Sequence, residues 1–187
     1  MTPLRLSYTL LRLWEQKKLD EVCAYITKTS DQLVTDAVEQ GSAWDKIVQE
    51  SIEKEGKLPK EFGGMELKGA LCQEKKVLEL NDFVLVAKPD IISFTGEELY
   101  EIKTGKFSSG DYSNTMQVPI YMMVFDTVKK ATILHYDQAI DEMDWFLIHN
   151  TPELMLETKD YVMKNGLAIK KYLEDQGIIE NGGEVRA

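Results

Sequence analysis

The feature that most limits what this chain can fold into is a change in the spacing of its apolar residues near residue 56. Before that point Leu6, Leu10, Leu13, Trp14, Val22, Tyr25 and Ile26 recur at helical intervals with charge between them, which predicts one or two amphipathic helices over residues 4–28. A further helix is expected from the capping pair Ser30-Asp31 through Val34, Val38, Trp44, Ile47, Val48 and Ile52 to Glu55, with a break near Gly41 allowed. The stretch "GKLPKEFGG" then interrupts any regular element with three glycines and a proline in nine residues. Beyond it the pattern is that of strands: "LKGALCQEKKVLEL" and "DFVLVAKPDIISF" are rich in Val, Leu, Ile and Phe and are joined by the turn pair Asn81-Asp82. A second turn at Thr95-Gly96 leads into "ELYEIKTG", so three successive antiparallel strands are predicted. Helical spacing returns over residues 112–128, "KKATILHY" reads as another strand, and Thr151-Pro152-Glu153 opens a last helix to about Asp175. The expected class is α/β, a central mixed sheet flanked by helices in the order ααβββαβα.

A length of 187 residues with 43% hydrophobic content suits one domain over residues 1–187, with a core large enough to hold a few costly polar groups. Within it we expect a helical part at 1–56, a catalytic core at 65–136 and a C-terminal helix at 151–176. The formal charge of −10 speaks against a surface that attracts nucleic acid everywhere, while leaving room for a local basic patch. Cys23 and Cys72 have neither metal-ligand spacing nor the density of a disulfide scaffold, which points to reduced thiols and a cytoplasmic protein. No apolar run approaches the ~20 residues of a membrane span, and Arg5, Arg12 and Glu15 fall where a signal peptide would be apolar.

Against this background the charges inside "AKPDIISFTGEELYEIKTGK" stand out. Glu101 and Lys103 are two apart, so in a strand they share a face that Ile102 does not. Asp90, on the preceding strand, falls roughly opposite Glu101 across the Thr95-Gly96 turn. Two carboxylates that close repel, and one takes up a proton unless positive charge lies between them. A hard divalent cation, Mg²⁺ or Mn²⁺, answers this with oxygen ligands, to which the Ile102 backbone carbonyl can add. The plain alternative is an ion pair of Lys103 with Glu101 or Asp90 on a solvated sheet face.

The series Pro89-Asp90, Glu101-Ile102-Lys103 and Thr104-Gly105 resembles the signature of the PD-(D/E)XK nuclease superfamily, in the variant found in RecB-type exonuclease domains, including the AddB and CRISPR-associated RecB-like groups. Those domains carry a Gln and a Tyr four apart on the helix after the lysine strand, matched here by Gln117 and Tyr121 in "NTMQVPIYMMVF". The acid that the family has early in its first core strand is matched by Glu74. The family's upstream metal-binding His, four residues after a glycine, falls on Asp45 when counted from Gly41. That departure leaves three options open: Asp45 as an oxygen ligand, Glu50 or Glu39 in its place, or no ligand there. The resemblance spans about Gly41 to Tyr136. Some relatives hold an iron-sulfur cluster with four cysteines, and with two cysteines and none after Cys72 no iron-sulfur cluster is expected in this chain.

The resemblance implies a restriction-endonuclease-like core and metal-dependent hydrolysis of DNA phosphodiester bonds on ends or single strands, in a protein of DNA repair or recombination or of a phage or mobile element. Asp90 and Glu101 would hold Mg²⁺ or Mn²⁺, and Lys103 would act either as a charged stabiliser or as a base. Gln117 and Tyr121 would position Lys103 or touch the DNA backbone, with Lys106, Lys88 and Lys68 as phosphate contacts. Each has a plainer reading: Tyr121 as a core tyrosine, Gln117 as a solvated helix residue, the lysines as surface charges. The other class of function is a non-catalytic module on the same fold, a DNA-end clamp or an acidic protein-binding partner. At this net charge, holding DNA at physiological salt calls for a homo-oligomer or a basic partner protein. His135 and His149 lack ligand spacing and read as structural. The run "DQAIDEMDWFLIHNTPELM", with Trp145 and Phe146, is expected to pack on the sheet or to form a partner-binding patch.

Overall fold

The computed structural model describes residues 4–27, 36–106, 112, 115–180 and 184–185, with the side chains of 36–42, 180 and 184–185 left undescribed. The elements run in the order β1 (Arg5–Leu6), α1 (Tyr8–Glu15), α2 (Leu19–Thr27), α3 (Asp36–Glu55), a short 3-10 turn at Lys60–Phe62, β2 (Leu71–Cys72), β3 (Lys76–Glu79), β4 (Val84–Ala87), β5 (Ile91–Ile92), β6 (Glu98–Thr104), α4 (Gln117–Val124), β7 (Lys130–Asp137), β8 (Glu142–His149), α5 (Pro152–Asp175), β9 (Ile179–Glu180) and β10 (Glu184–Val185). The chain groups into two compact units: one made of Met1–Leu33, Lys76–Ala87 and Pro152–Ala187, the other of Val34–Lys75 and Lys88–Thr151. No described helix is long and apolar enough to cross a membrane.

In the first unit β1 runs parallel to β4, and β4 pairs antiparallel with β3, the hairpin that Asn81-Asp82 predicts, its turn closed by Leu80 N–H donating to the Phe83 carbonyl at 2.9 Å. Ser7 caps α1, its hydroxyl accepting from Leu10 N–H at 3.3 Å. Leu6, Leu10, Phe83, Leu85, Val162 and Ile169 are buried there, each aliphatic side chain contributing about 1.5–3 kcal/mol. Gly166 lets α5 come close: a Cβ at that position would lie 2.5 Å from Phe83 and 2.6 Å from Leu6.

The second unit is built on the sheet β2-β5-β6-β7-β8, mixed because β6 and β7 are parallel while the other pairs are antiparallel. Two successive strands can be parallel only with a crossover between them, and α4 supplies it. Strand alternation then sorts β6 onto two faces. Tyr100 and Ile102, with Leu134 and Tyr136 of β7, pack against Val48 and Ile52 of α3 and against Phe62, and Trp44 closes edge-on to Phe62 and Tyr136 at 5.6 and 5.4 Å. Glu101 and Lys103 point to the opposite face, where α4 lies. The helix α4 is apolar nearly all round, as a helix buried on several sides must be.

The mixed α/β class with helices about a mixed sheet is the one expected, and several elements differ in detail. The predicted strand over 82–94 is divided at Lys88–Asp90, so that β4 and β5 join different sheets in place of one three-stranded meander. The helix expected over 112–128 is α4 alone, with Pro119 in its first turn, where its missing N–H costs nothing. No break occurs at Gly41, and the Ser30-Asp31 cap lies outside the described residues. The run expected to pack or bind a partner contains β8, an edge strand: Phe146 packs on Tyr112 with ring centroids 5.2 Å apart, while Met143, Trp145 and Leu147 are exposed.

Candidate active site

Everything in this site belongs to the second unit. Glu101 is 3% exposed, and its Oε1 accepts hydrogen bonds from Lys103 Nζ at 2.8 Å and Gln117 Nε2 at 2.5 Å. Gln117 closes the triangle, its Oε1 accepting from Lys103 Nζ at 2.9 Å, and its Nε2 also donates to the Tyr121 hydroxyl at 3.0 Å. The four-residue spacing on α4 thus orients the glutamine. Tyr121 is a core ring and a site hydroxyl at once.

Asp90 enters from the residue before β5. The β5–β6 register pairs Ile91 with Tyr100, which sets Asp90 across from Glu101 as the turn predicts. Its Oδ2 accepts from the Ile102 backbone N–H at 2.7 Å and its Oδ1 from Gln73 Nε2 at 2.9 Å. A small pocket beside it is lined by Asp45, Gln49, Cys72, Gln73, Asp90 and Ile102.

The charges are unbalanced. Burial first, then the neighbouring Asp90, pushes the Glu101 carboxyl up to about 8, against the pull of Lys103. Asp90 is likewise raised by burial, opposed by the Ile102 amide and by Lys103. Partial desolvation and the Asp90 charge push Asp45 up to about 6, although that residue is exposed overall. Burial works against the charge of Lys103, but Glu101, with Asp90 and Tyr112 behind it, holds the ammonium above its usual range. Two cations, Lys103 and the exposed Lys88, therefore face three carboxyls, Asp45, Asp90 and Glu101. Glu101 Oε2 is also buried without a hydrogen bond among the described residues, the Asp90 main chain giving the carboxylate only a weak pull. An orphaned carboxylate oxygen, hard oxygen donors and missing positive charge fit a divalent cation. Among the described residues no three His, Cys, Asp or Glu side chains form a ready cage. An ion on two carboxylates and water is the pattern that suits Mg²⁺, which gives up its hydration reluctantly.

The remaining residues singled out in the sequence divide. Asp45 reaches the pocket of Asp90. Glu50 instead pairs with Lys54 at 2.8 Å in solvent, and the side chain of Glu39 lies outside the described residues. Glu74 lies in the bend between β2 and β3, is exposed and lines no part of the pocket, whereas its half-buried neighbour Gln73 does. Lys88 is exposed, near enough to Asp45 and Asp90 to act on both. Lys106 is exposed just past β6. Lys68 pairs with Glu66 at 3.5 Å in the loop after α3. Sequence reasoning missed Gln73, an uncharged residue beside the acid that drew the match. His135, expected to be structural, is buried next to Lys103 across the β6–β7 register, and its Nε2 lies 3.1 Å from the Gly105 carbonyl.

No protein-family model and no curated protein matches the sequence. Solved structures do match in fold. They include SSO0001 (TM-score 0.58, 16% identity, covering 86% of this chain and 76% of the other). Another is a phage-related exonuclease from Haemophilus somnus 129PT (TM-score 0.55, 12% identity, 86% and 82%). A third is the alkaline exonuclease LHK-Exo from Laribacter hongkongensis (TM-score 0.55, 12% identity, 92% and 93%), also solved in complex with dAMP. At such identities the likeness is one of fold.

Proposed function

We propose that this chain is a metal-dependent DNA nuclease of the PD-(D/E)XK kind, an exonuclease that hydrolyses phosphodiester bonds at DNA ends or in single strands. The observation that carries the reading is the Glu101 carboxylate, buried with one oxygen lacking a hydrogen bond among the described residues and set beside Asp90 and the Lys103 ammonium. A structural ion pair has no use for a second buried acid and an orphaned oxygen, each of which costs stability. The fold shared with two exonucleases supports it, and dAMP, bound by one of them, is the kind of product that exonucleolytic DNA hydrolysis releases.

Asp90 and Glu101 would hold Mg²⁺ or Mn²⁺, with Asp45 and the Ile102 carbonyl as further oxygens. Such an ion, when bound, lowers the pKa of water and offsets charge on the phosphate. Lys103, held by Gln117, presents a fixed ammonium to the phosphate and stabilises the charge that builds on its oxygens. Gln117 keeps that amine in place and Tyr121 keeps Gln117 in place. Lys88 and Lys106 contact the DNA backbone on either side. With a net charge of −10 on the chain, firm binding of DNA draws on a second copy or a basic partner.

The test joins Mn²⁺ calorimetry to loss of end-labelled linear and circular DNA. Expected are Mn²⁺ binding that Asp90→Ala and Glu101→Ala abolish, and loss of linear DNA that EDTA stops. Wild-type protein that binds no Mn²⁺ and leaves DNA intact would reduce the fold to a non-catalytic DNA-end or protein-binding module.

A further inference from the structure

We infer that Gln73 is a positioning residue for the acid corner, holding Asp90 in the one orientation in which it can serve as a metal ligand; this rests on the metal-dependent reading above. Gln73 follows β2 directly, and the register Cys72 to Ile91 sets it across from Asp90. It grips that residue twice: its backbone N–H donates to the Asp90 carbonyl at 2.9 Å, and its Nε2 donates to Asp90 Oδ1 at 2.9 Å. Ile102 N–H already holds Oδ2 at 2.7 Å, so Gln73 fixes the second oxygen and with it the rotation of the whole carboxylate.

The backbone says that the side chain matters. Gln73 has φ +56°, a left-handed conformation that glycine adopts freely and a long side chain seldom does. The strained position lines the pocket beside Asp45 and Asp90, where local strain is kept when the residue has a task there. What glutamine adds over glycine is one neutral donor. Neutrality suits the place, because an ammonium or guanidinium on Oδ1 would satisfy Asp90 with a full charge and compete with an incoming cation, whereas an amide orients the oxygen and leaves its charge uncompensated.

The experiment compares the full-length wild type with Gln73→Gly, which relieves the backbone, and Gln73→Met, which keeps the bulk without the donor. Mn²⁺ affinity is measured by calorimetry and the metal-free Tm by circular dichroism. Both variants should bind Mn²⁺ about tenfold or more weakly, the range typical of partners that orient a metal ligand. Gln73→Gly should do so with a metal-free Tm at or above that of the wild type. Affinities within twofold of wild type in both variants would overturn the assignment. So would a fall in Tm that tracks the loss of affinity in both, which would make the residue purely structural. A wild type that binds no Mn²⁺ would overturn the metal-dependent reading itself, a result distinct from binding that ignores residue 73.

Discussion

Glu101 and Lys103 stand two residues apart on one face of β6 and are joined by Lys103 Nζ to Glu101 Oε1 at 2.8 Å, while the other oxygen of that carboxylate is buried without a hydrogen bond among the described residues. The pair is thus asymmetric. The amine donates twice, to Glu101 and to Gln117 Oε1, and keeps a third N–H, while the acid has one oxygen without a hydrogen bond among the described residues.

Replacing Lys103 by Met removes the charge and keeps most of the stem. Cleavage should fall by about 10²–10³, the loss typical when one preorganised stabiliser of transition-state charge is removed. Mn²⁺ affinity should stay the same or rise, because a competing cation has left Glu101. Single-turnover cleavage and calorimetry on the same preparation check both halves.

Gln117 and Tyr121 act in series: the hydroxyl touches Gln117, which touches Lys103 and Glu101. Tyr121→Phe should therefore lower turnover less than tenfold, Gln117→Leu more, and the double variant no further than Gln117→Leu alone. A double-mutant cycle on kcat reads the coupling.

His135 is held below its ordinary pKa of 6.5 chiefly by burial, with the nearby Lys103 adding to that and the Gly105 carbonyl, Asp137 and Asp144 opposing it. Folding thus favours the neutral ring. The stability this gives is complete above about pH 6.5 and is lost as pH falls below that value towards the lower folded pKa, by at most ~1.4 kcal/mol per pH unit for one proton. Melting curves between pH 5 and 8 should show a shallower decline on the acid side in His135→Gln than in the wild type.

Gly166→Ala places a methyl where Phe83 and Leu6 already pack, at 2.5 and 2.6 Å. The gain in helix propensity is under 1 kcal/mol, and overpacking of about 1–3 kcal/mol outweighs it. The variant should melt several degrees lower in thermal denaturation, with the acid corner untouched in sequence.

Much of this was legible in the sequence because it depends on short-range rules. Glu101 and Lys103 share a face through strand alternation, Gln117 and Tyr121 through helical spacing, and Asp90 meets Glu101 through a turn of known reach. What escaped depends on pairing between distant segments. Apolar content alone does not say that β4 pairs with β1 and β3 while β5, a few residues later, pairs with β2 and β6. Strand β8 was hidden for a related reason: its exposed Met143, Trp145 and Leu147 blur the alternation that marks a half-buried strand. Gln73 carried no signal, since its backbone conformation and its partner seventeen positions away are both properties of the folded chain.

That seventeen-residue separation has its own consequence. Between Gln73 and Asp90 the chain makes the whole β3–β4 hairpin, then returns to the residue it left, where two hydrogen bonds tie entry to exit. The hairpin is topologically a closed loop on a clasped neck. For such a loop the cost of closure grows only slowly with length, about 0.6 kcal/mol per doubling. Loop-closure entropy thus sets little constraint on the length of chain between Gln73 and Asp90, whose ends the two hydrogen bonds of the clasp hold together.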